Sequence, residues 1–234
     1  GMLVVASSNK KGVLVLRSVK ENSMKGALDV AARTFNGVDL SADVKIYERV
    51  GIGPSAEITL DEIRLTVVEN NKILHAEYDD NGRVGMLILN NVTGDRYTYG
   101  KVRIEKTTET EGEGSKVTKE AIILYNGDTS LGPFNYFSDL RGDAWGGIIV
   151  REGERSSRAV GHVKLDAIKD VTNEAWLDEE TVEVKGVTYD VSDDVVCYNK
   201  VTGQWGSLSA ARAFGEAMTL YVYDFHVVRG VEVG

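Results

Sequence analysis

The chain has 234 residues, of which 27% are charged, and its 27 basic and 36 acidic residues give a net charge of −9 at pH 7. This acidic balance argues against a nucleic-acid partner, because clustered Lys and Arg drive phosphate binding. The single cysteine, Cys197, excludes an intrachain disulfide. The sequence contains no apolar run of about 18 residues that would predict a membrane span, and no recognisable signal peptide.

The first half of the chain is typical of short strands joined by polar turns. Asn36-Gly37 and Asp79-Asp80-Asn81-Gly82 predict hairpin turns, because these residues adopt positive φ at low cost. Asp61 is expected to cap a short helix near Glu62 by accepting from backbone N–H groups. Strands are predicted at residues 2–6, 13–16, 30–35, 44–47, 72–78 and 84–89.

The middle of the chain continues with strands at residues 101–105, 121–125, 147–150 and 162–168. The segment 107–115 is charged and glycine-rich and has no apolar residue. This composition predicts an exposed loop that joins two strands rather than a folded element.

An aromatic loop at residues 134–145 supplies the candidate ligand-binding residues Phe134, Tyr136, Phe137 and Trp145. If the rings are exposed, their apolar faces can stack on a sugar, which would make a glycan the partner. The alternative interpretation is that the rings plug the open end of a β-barrel, where each would bury roughly 150–250 Å².

The end of the chain repeats an earlier pattern. Residues 182–233 follow the same order of strands and turns as residues 37–89, and we interpret this as an internal duplication. The alternative is a chance likeness between two β-meanders. The aligned pairs are Gly37 with Gly186, Ser41 with Ser192, Asp43 with Asp194, Tyr47 with Tyr198 and Leu60 with Leu208.

These patterns predict a mainly β fold made of two related small β-barrel-like domains in tandem, at residues 1–95 and 96–234. Each domain is expected to contain one short helix, near Glu62 in the first and near Ala210 in the second, with Ser209 as the second cap. In the strand around Cys197, alternation places Val195 and Cys197 on one face and Val196 and Tyr198 on the other, and either face could be the core.

No residues with catalytic or metal-binding spacing stand out. His75, His162 and His226 lie in separate segments, and no nucleotide-binding or hydrolase motif is present. The aspartates near positions 79 and 190 lack the spacing of a calcium loop and are better explained by turns. The sequence therefore predicts no catalytic residue, no metal and no cofactor. Two carboxylates distant in sequence could still meet in the fold, which leaves a carboxylate-dependent hydrolase as an alternative.

Residues 187–200, together with Trp205 and residues 208–213, 220–221 and 228–233, resemble the non-catalytic β modules of surface proteins that carry S-layer homology domains in Gram-positive clostridia. Residues 91–100 look like the connector of the same proteins. The resemblance implies export to the cell surface or wall and a structural or adhesive role. The S-layer homology repeat itself is not visible in this sequence.

The resulting expectation is a structural or adhesive module of a bacterial cell-envelope protein, with no catalysis. Its partners would be other envelope modules or wall polymer. The glycan-binding module at residues 134–145 and the hydrolase are the alternatives.

Overall fold

The computed structural model describes residues 4–18, 26–111, 115–127, 129–134, 137, 139–150, 159–214 and 217–234. The described chain is mainly β, as predicted. It divides into two compact units, Gly1–Arg96 and Tyr97–Gly234, whereas the sequence places the boundary after residue 95.

The first unit contains a two-stranded sheet and a seven-stranded sheet. The strands are β1 (Val4–Ser8), β2 (Leu14–Ser18), β3 (Leu28–Asp29), β4 (Thr34–Phe35), β5 (Val38–Arg49), β6 (Ala56–Ile58), β7 (Val67–Val68), β8 (Ile73–Tyr78) and β9 (Val84–Asn90). β1 pairs with β2, and the larger sheet has the order β7-β3-β4-β5-β9-β8, with β6 added on β5. Two 3-10 turns span Leu60–Glu62 and Asn70–Lys72.

The second unit contains a five-stranded sheet and a six-stranded sheet. The elements are β10 (Thr98–Glu111), β11 (Ser115–Asn126), β12 (Thr129–Phe134), β13 (Trp145–Val150), β14 (Ala159–Lys164), β15 (Asp166–Thr172), β16 (Thr181–Val184), β17 (Val187–Asn199), β18 (Gln204–Gly206), α1 (Leu208–Phe214), β19 (Ala217–Tyr223) and β20 (Val227–Val233). The five-stranded sheet has the order β12-β11-β10-β13-β14 and is barrel-like and nearly closed. The six-stranded sheet has the order β15-β19-β20-β17-β16 with β18 on β17. A 3-10 turn spans Asn173–Ala175.

The segment predicted to be a loop at residues 107–115 is instead largely strand. β10 and β11 pair antiparallel from Lys101 opposite Tyr125 to Glu111 opposite Ser115. Backbone hydrogen bonds pair the two strands along this length, and the Oγ1 atoms of the exposed Thr108 and Thr118 lie 3.4 Å apart across the hairpin. The loop prediction was wrong because it required apolar residues for a strand.

The two segments aligned in the sequence share strand topology and register, as a duplication predicts. In the first copy β5 pairs parallel with β9 and antiparallel with β6, and β8 pairs antiparallel with β9. In the second copy β17 pairs in the same ways with β20 and β18, and β19 pairs antiparallel with β20. Both parallel ladders contain a register irregularity, between Leu40 and Lys45 in the first and between Val191 and Val196 in the second.

Tyr47 and Tyr198 occupy equivalent rungs of these two ladders. Tyr47 lies opposite Ile88, and Tyr198 lies opposite Glu232. Their surroundings differ, because Tyr47 is half-buried and Tyr198 is buried. The two copies therefore share the backbone pairing, whereas the strand face that carries the tyrosine has different surroundings in each copy.

The helix caps differ from the predicted ones. At the first 3-10 turn the N-cap is Thr59, whose N–H and hydroxyl both donate to Glu62 Oε2 at 2.6 and 2.7 Å. At α1 the Oγ of Ser207 accepts from the N–H of Ala210 at 3.2 Å. Asp61 and Ser209 each lie two positions after these caps, inside the helical segment, so both predicted caps were wrong.

Each copy of the repeat encloses its own apolar core. In the first unit the buried cluster includes Phe35, Leu60 and Leu87, and in the second it includes Cys197, Leu220 and Val231. Val195 packs against the second cluster beside Cys197, which confirms that these two residues share the core face. The opposite face of the β17, β19 and β20 strands is consequently free to contact the five-stranded sheet.

Candidate functional site

Two buried charged residues of the second unit, Lys101 and Glu232, meet where its two sheets are in contact. Glu232 lies on β20 and is 4% exposed, and Lys101 lies on β10 and is 5% exposed. Trp145 at the start of β13 is also buried. We call the set Lys101, Trp145, Lys200, Tyr221 and Glu232 the Glu232 cluster.

Each of the two carboxylate oxygens of Glu232 has two partners. Oε2 accepts from Lys101 Nζ at 2.6 Å and from Trp145 Nε1 at 3.3 Å. Oε1 accepts from the Tyr221 hydroxyl at 3.1 Å and lies 3.0 Å from Lys200 Nζ. A buried carboxylate is tolerated when it is paired and hydrogen-bonded in this way.

The rings of the cluster pack around the carboxylate. Trp145 stacks on Tyr221 with ring centroids 4.7 Å apart and an interplanar angle of 16°. Gly230, on the same strand as Glu232, leaves room for the Trp145 ring, since a Cβ at that position would collide with its Cζ3 and Cε3 atoms. The first copy has Met86 at the equivalent rung, opposite Lys45. The substitution by glycine therefore permits the sheets to approach.

Tyr198 extends the cluster toward β10. Lys101 Nζ lies 4.7 Å from the centroid of the Tyr198 ring, and Arg103 Nη2 donates to the Tyr198 hydroxyl at 3.0 Å. Cation–π contacts of this kind are stabilised further when the cation is shielded from water. Residues of β10 thus bind the divergent face of β17 as well as β20.

The cluster shifts the pKa of two of its members in opposite directions. Burial by itself would raise the pKa of Glu232, but the hydrogen bonds from Lys101 and Lys200, with the charge of Lys101, outweigh it and lower the pKa below its ordinary value. Burial, together with the adjacent Glu232 charge, raises the pKa of Tyr221. At neutral pH Glu232 is ionised and Tyr221 keeps its proton.

This arrangement is suited to holding two sheets together. A general base or nucleophile must have an oxygen available to the reacting group. The four donors around Glu232 occupy both of its oxygens, so neither oxygen is available to a reacting group. No second carboxylate is among the hydrogen-bond partners described for Glu232. The geometry favours a structural role for the cluster.

Two of the four predicted glycan-binding rings do not face solvent. Phe134 and Trp145 are each 1% exposed; Phe134 packs in the core of the five-stranded sheet. Phe137 is half-buried and packs against Phe134 and the His162 ring at centroid distances of 5.7 and 4.4 Å. Tyr136 lies outside the described residues. Residues distant in sequence cover Phe134 and Trp145, so these two rings are not available to stack on a sugar, and their burial agrees with the alternative interpretation of buried rings.

The remaining polar candidates have local roles. Asp79 Oδ1 accepts from the N–H groups of Asn81 and Arg83 at 2.8 and 2.9 Å, which confirms the hairpin turn. His162 Nε2 lies 2.8 Å from Asp139 Oδ1 in a partly exposed pair. Within the described ranges, no three His, Cys, Asp or Glu side chains are placed to hold a metal ion.

Cys197 is buried in the second core, as the apolar strand around it suggested. Burial raises the pKa of its thiol to about 12. Because the thiolate is the reactive form, Cys197 is not a nucleophile at neutral pH.

Sequence reasoning placed Lys101 and Glu232 in strands but did not connect them. One signal was present, since the second copy carries Gly230 and Glu232 on rungs where the first copy carries Met86 and Ile88. Glu232 lies near the end of the largely apolar β20, two residues after Gly230 and therefore on the same face, and an acid at such a position indicates a face that contacts something other than the core.

Comparison with family models, with curated proteins and with solved structures gave no match for this chain. No helix in the part of the chain that the structure describes has the length and hydropathy needed to cross a membrane. The class defined by the fold is a mainly β protein in which one arrangement of paired strands occurs twice.

Proposed function

We propose that this chain is a non-catalytic structural or adhesive module of a bacterial cell-envelope protein, with other envelope modules or wall polymer as partners. The observation that carries the proposal is the saturation of Glu232, whose two oxygens are both held by donors from neighbouring strands and the residue after β17. The likeness of residues 187–233 to β modules of S-layer homology surface proteins supports the envelope location.

The duplication supports a structural role as well. The residues that distinguish the second copy from the first include Gly230 and Glu232, and they contact Trp145 and Lys101 of the five-stranded sheet. The divergence of the second copy is thus accounted for by packing between sheets. Packing between the sheets therefore explains these residues without a role in binding a substrate.

Two assays on the native protein test the proposal. Surface protease accessibility and immunolabelling of intact cells of the source bacterium are expected to place the protein outside the membrane, in the wall fraction. The purified chain is expected to release no sugar from wall polysaccharide or from nitrophenyl glycosides. A cytoplasmic location would overturn the envelope assignment, and turnover that is abolished by Glu232→Gln would overturn the absence of catalysis.

A further inference from the structure

β10 and β11 continue as a two-stranded arm beyond the rest of their sheet. β13 pairs with β10 only from Thr98 to Lys101, and β12 pairs with β11 only from Ile122 onward. Residues 115–121 of β11 therefore have β10 on one side and, among the strands that the structure describes, no partner on the other. We call the outer side of these seven residues the β11 edge.

The β11 edge is long enough to pair with another strand. An unpaired edge presents a row of backbone N–H and C=O groups, and proteins commonly protect it by keeping it short or by bending it with a bulge. Residues 115–121 instead keep an unbroken register with β10. Because a two-stranded hairpin alone is only marginally stable in water, additional strands would stabilise the arm.

The side chains on one face of the β11 edge form a charge pattern. Lys116, Thr118 and Glu120 follow one another on this face, and all three are exposed. Glu120 Oε1 also lies 3.0 Å from Lys106 Nζ of β10, in a pair whose side chains are 59% and 66% exposed. The order cation, hydroxyl, anion is complementary to itself when it is read in the opposite direction.

One antiparallel register pairs two copies of this edge through opposite charges. A two-fold axis through Thr118 places Lys116 of each copy opposite Glu120 of the other. Opposite charges directly across a strand pair stabilise it, and like charges destabilise it. Within the edge, two-fold registers shifted by one or two residues bring no acid opposite a base, and one of them puts Lys116 opposite Lys119.

The outer edge of β10 is less suited to pairing with itself. Between residues 105 and 111 it has three glutamates and one lysine, so two copies would bring together charges of the same sign. Lysines on the β11 edge disfavour most strands as partners. They therefore select for a partner that presents an acid to each of them.

We propose that the β11 edge pairs antiparallel with the β11 edge of a second copy of this chain, about a two-fold axis at Thr118. The two arms then form one four-stranded sheet in the order β10-β11-β11-β10. Its central rung has four threonines, since Thr108 lies opposite Thr118 in each copy. The rungs on either side carry the alternating charges of Lys106, Glu120 and Lys116. This inference goes beyond the structural or adhesive role and does not depend on it.

The contact is small, and the dimer is expected to be weak. It uses seven residues from each copy, whereas a standard interface uses about 20–30 a side, so we expect a Kd of about 10 µM to 1 mM. Because the same edge is used by both copies, the contact closes as a dimer and does not propagate into a filament. Sedimentation equilibrium of the full chain at concentrations across this range measures the Kd.

Charge reversal tests the pairing of Lys116 with Glu120. Lys116→Glu places glutamates opposite each other at two rungs, and Glu120→Lys places lysines there. Each variant is expected to weaken the dimer about tenfold or more, because two favourable pairs become unfavourable. An equimolar mixture of the two variants restores both opposite-charge pairs in the mixed dimer and is expected to associate more tightly than either variant alone. The substituted positions are exposed, so both variants are expected to fold.

Cysteine trapping tests the register. Thr118→Cys brings two thiols together at the axis, where opposite Cβ atoms lie about 4.5–5.5 Å apart, and is expected to give a disulfide-linked dimer on mild oxidation. Thr108→Cys is the matched control, because this exposed threonine lies three strand spacings, about 14 Å, from its counterpart. The native Cys197 is buried and does not compete.

The same measurements can contradict the proposal. A chain that stays monomeric up to about 1 mM lies outside the affinity expected for this contact and would overturn it. Growth into larger open assemblies, equal cross-linking at positions 108 and 118, or self-association that Lys116→Glu leaves unchanged would each overturn it as well.

Discussion

Lys101 and Glu232 are separated by 131 positions in the chain, yet Lys101 Nζ lies 2.6 Å from Glu232 Oε2 and both side chains are almost completely buried. The pair joins β10 of the five-stranded sheet to β20 of the six-stranded sheet. Because buried ions are costly when unpaired, the two sheets of the second unit depend on each other for stability.

Replacing Lys101 with methionine is expected to destabilise the protein strongly. The change leaves Glu232 buried with one ionic partner, the more exposed Lys200, and removal of one member of a buried pair costs about 3–5 kcal/mol. Urea unfolding measures the free energy of unfolding. The control is Lys45→Met, since Lys45 and Glu57 form a pair of similar length with side chains 59% and 54% exposed, and surface pairs contribute about 0–1 kcal/mol. Equal costs for the two substitutions would contradict the structural role of Lys101.

A methyl group at Gly230 is expected to push the Trp145 ring away from the sheet. Overpacking of this kind costs about 1–3 kcal/mol. Gly206→Ala is the matched control, because its new Cβ meets nothing closer than 3.8 Å and the backbone there is outside the left-handed region. That control is expected to be neutral or more stable by about 0.4–1 kcal/mol. Thermal unfolding and Trp fluorescence report both outcomes, and an unperturbed Gly230→Ala protein would show that Trp145 does not pack there.

The stabilisation from Glu232 is expected to depend on pH in the acid range. Its folded-state pKa is lower than the ordinary value of about 4.5, so its contribution is complete above that pH and is lost as the pH falls through the folded-state pKa. The difference in unfolding free energy between the wild type and Glu232→Gln is expected to be largest near pH 7 and to shrink below pH 4.5. Asp43 and Asp79 also have lowered pKa values, the first mainly because of a hydrogen bond from Ser41 and the second mainly because of one from the Arg83 backbone. Their effect on stability is the same in both proteins, so the difference between wild type and Glu232→Gln removes it. A difference that grows on acidification would contradict the sign.

Leu220→Asp is expected to prevent stable folding of the second core. Leu220 has no exposed surface, and an unpaired carboxylate there costs about 4 kcal/mol or more. Leu177 is 62% exposed, so Leu177→Asp serves as the control and is expected to change stability by less than about 0.5 kcal/mol. Melting temperatures that are equal for the two variants would place Leu220 outside the core.

The local features of the fold were predictable from the sequence. Turn residues such as Asn36-Gly37 and the alternation of side chains in strands depend on near neighbours, and the order of turns and strands exposed the duplication. The arm formed by β10 and β11 was missed, because a polar two-stranded hairpin has no apolar periodicity.

The candidate site was not predictable to the same degree. The burial of Trp145 depends on Gly230 and Tyr221, which belong to another sheet, so the loop sequence alone left both an exposed and a buried ring open. The Lys101–Glu232 pair likewise requires knowledge of which sheets meet. Long-range packing decides these features, and a single sequence does not encode it in any local pattern.

A double-mutant cycle between Lys101 and Glu232 tests most directly whether the divergent face of the second copy is committed to holding the sheets together. Urea unfolding of the wild type, Lys101→Met, Glu232→Met and the double variant gives the coupling, which for contacting residues is about 0.5–3 kcal/mol. We expect Lys101→Met to cost at least about 3 kcal/mol in the wild type and less by the coupling energy once Glu232 is methionine. An equal cost in both backgrounds would contradict the account.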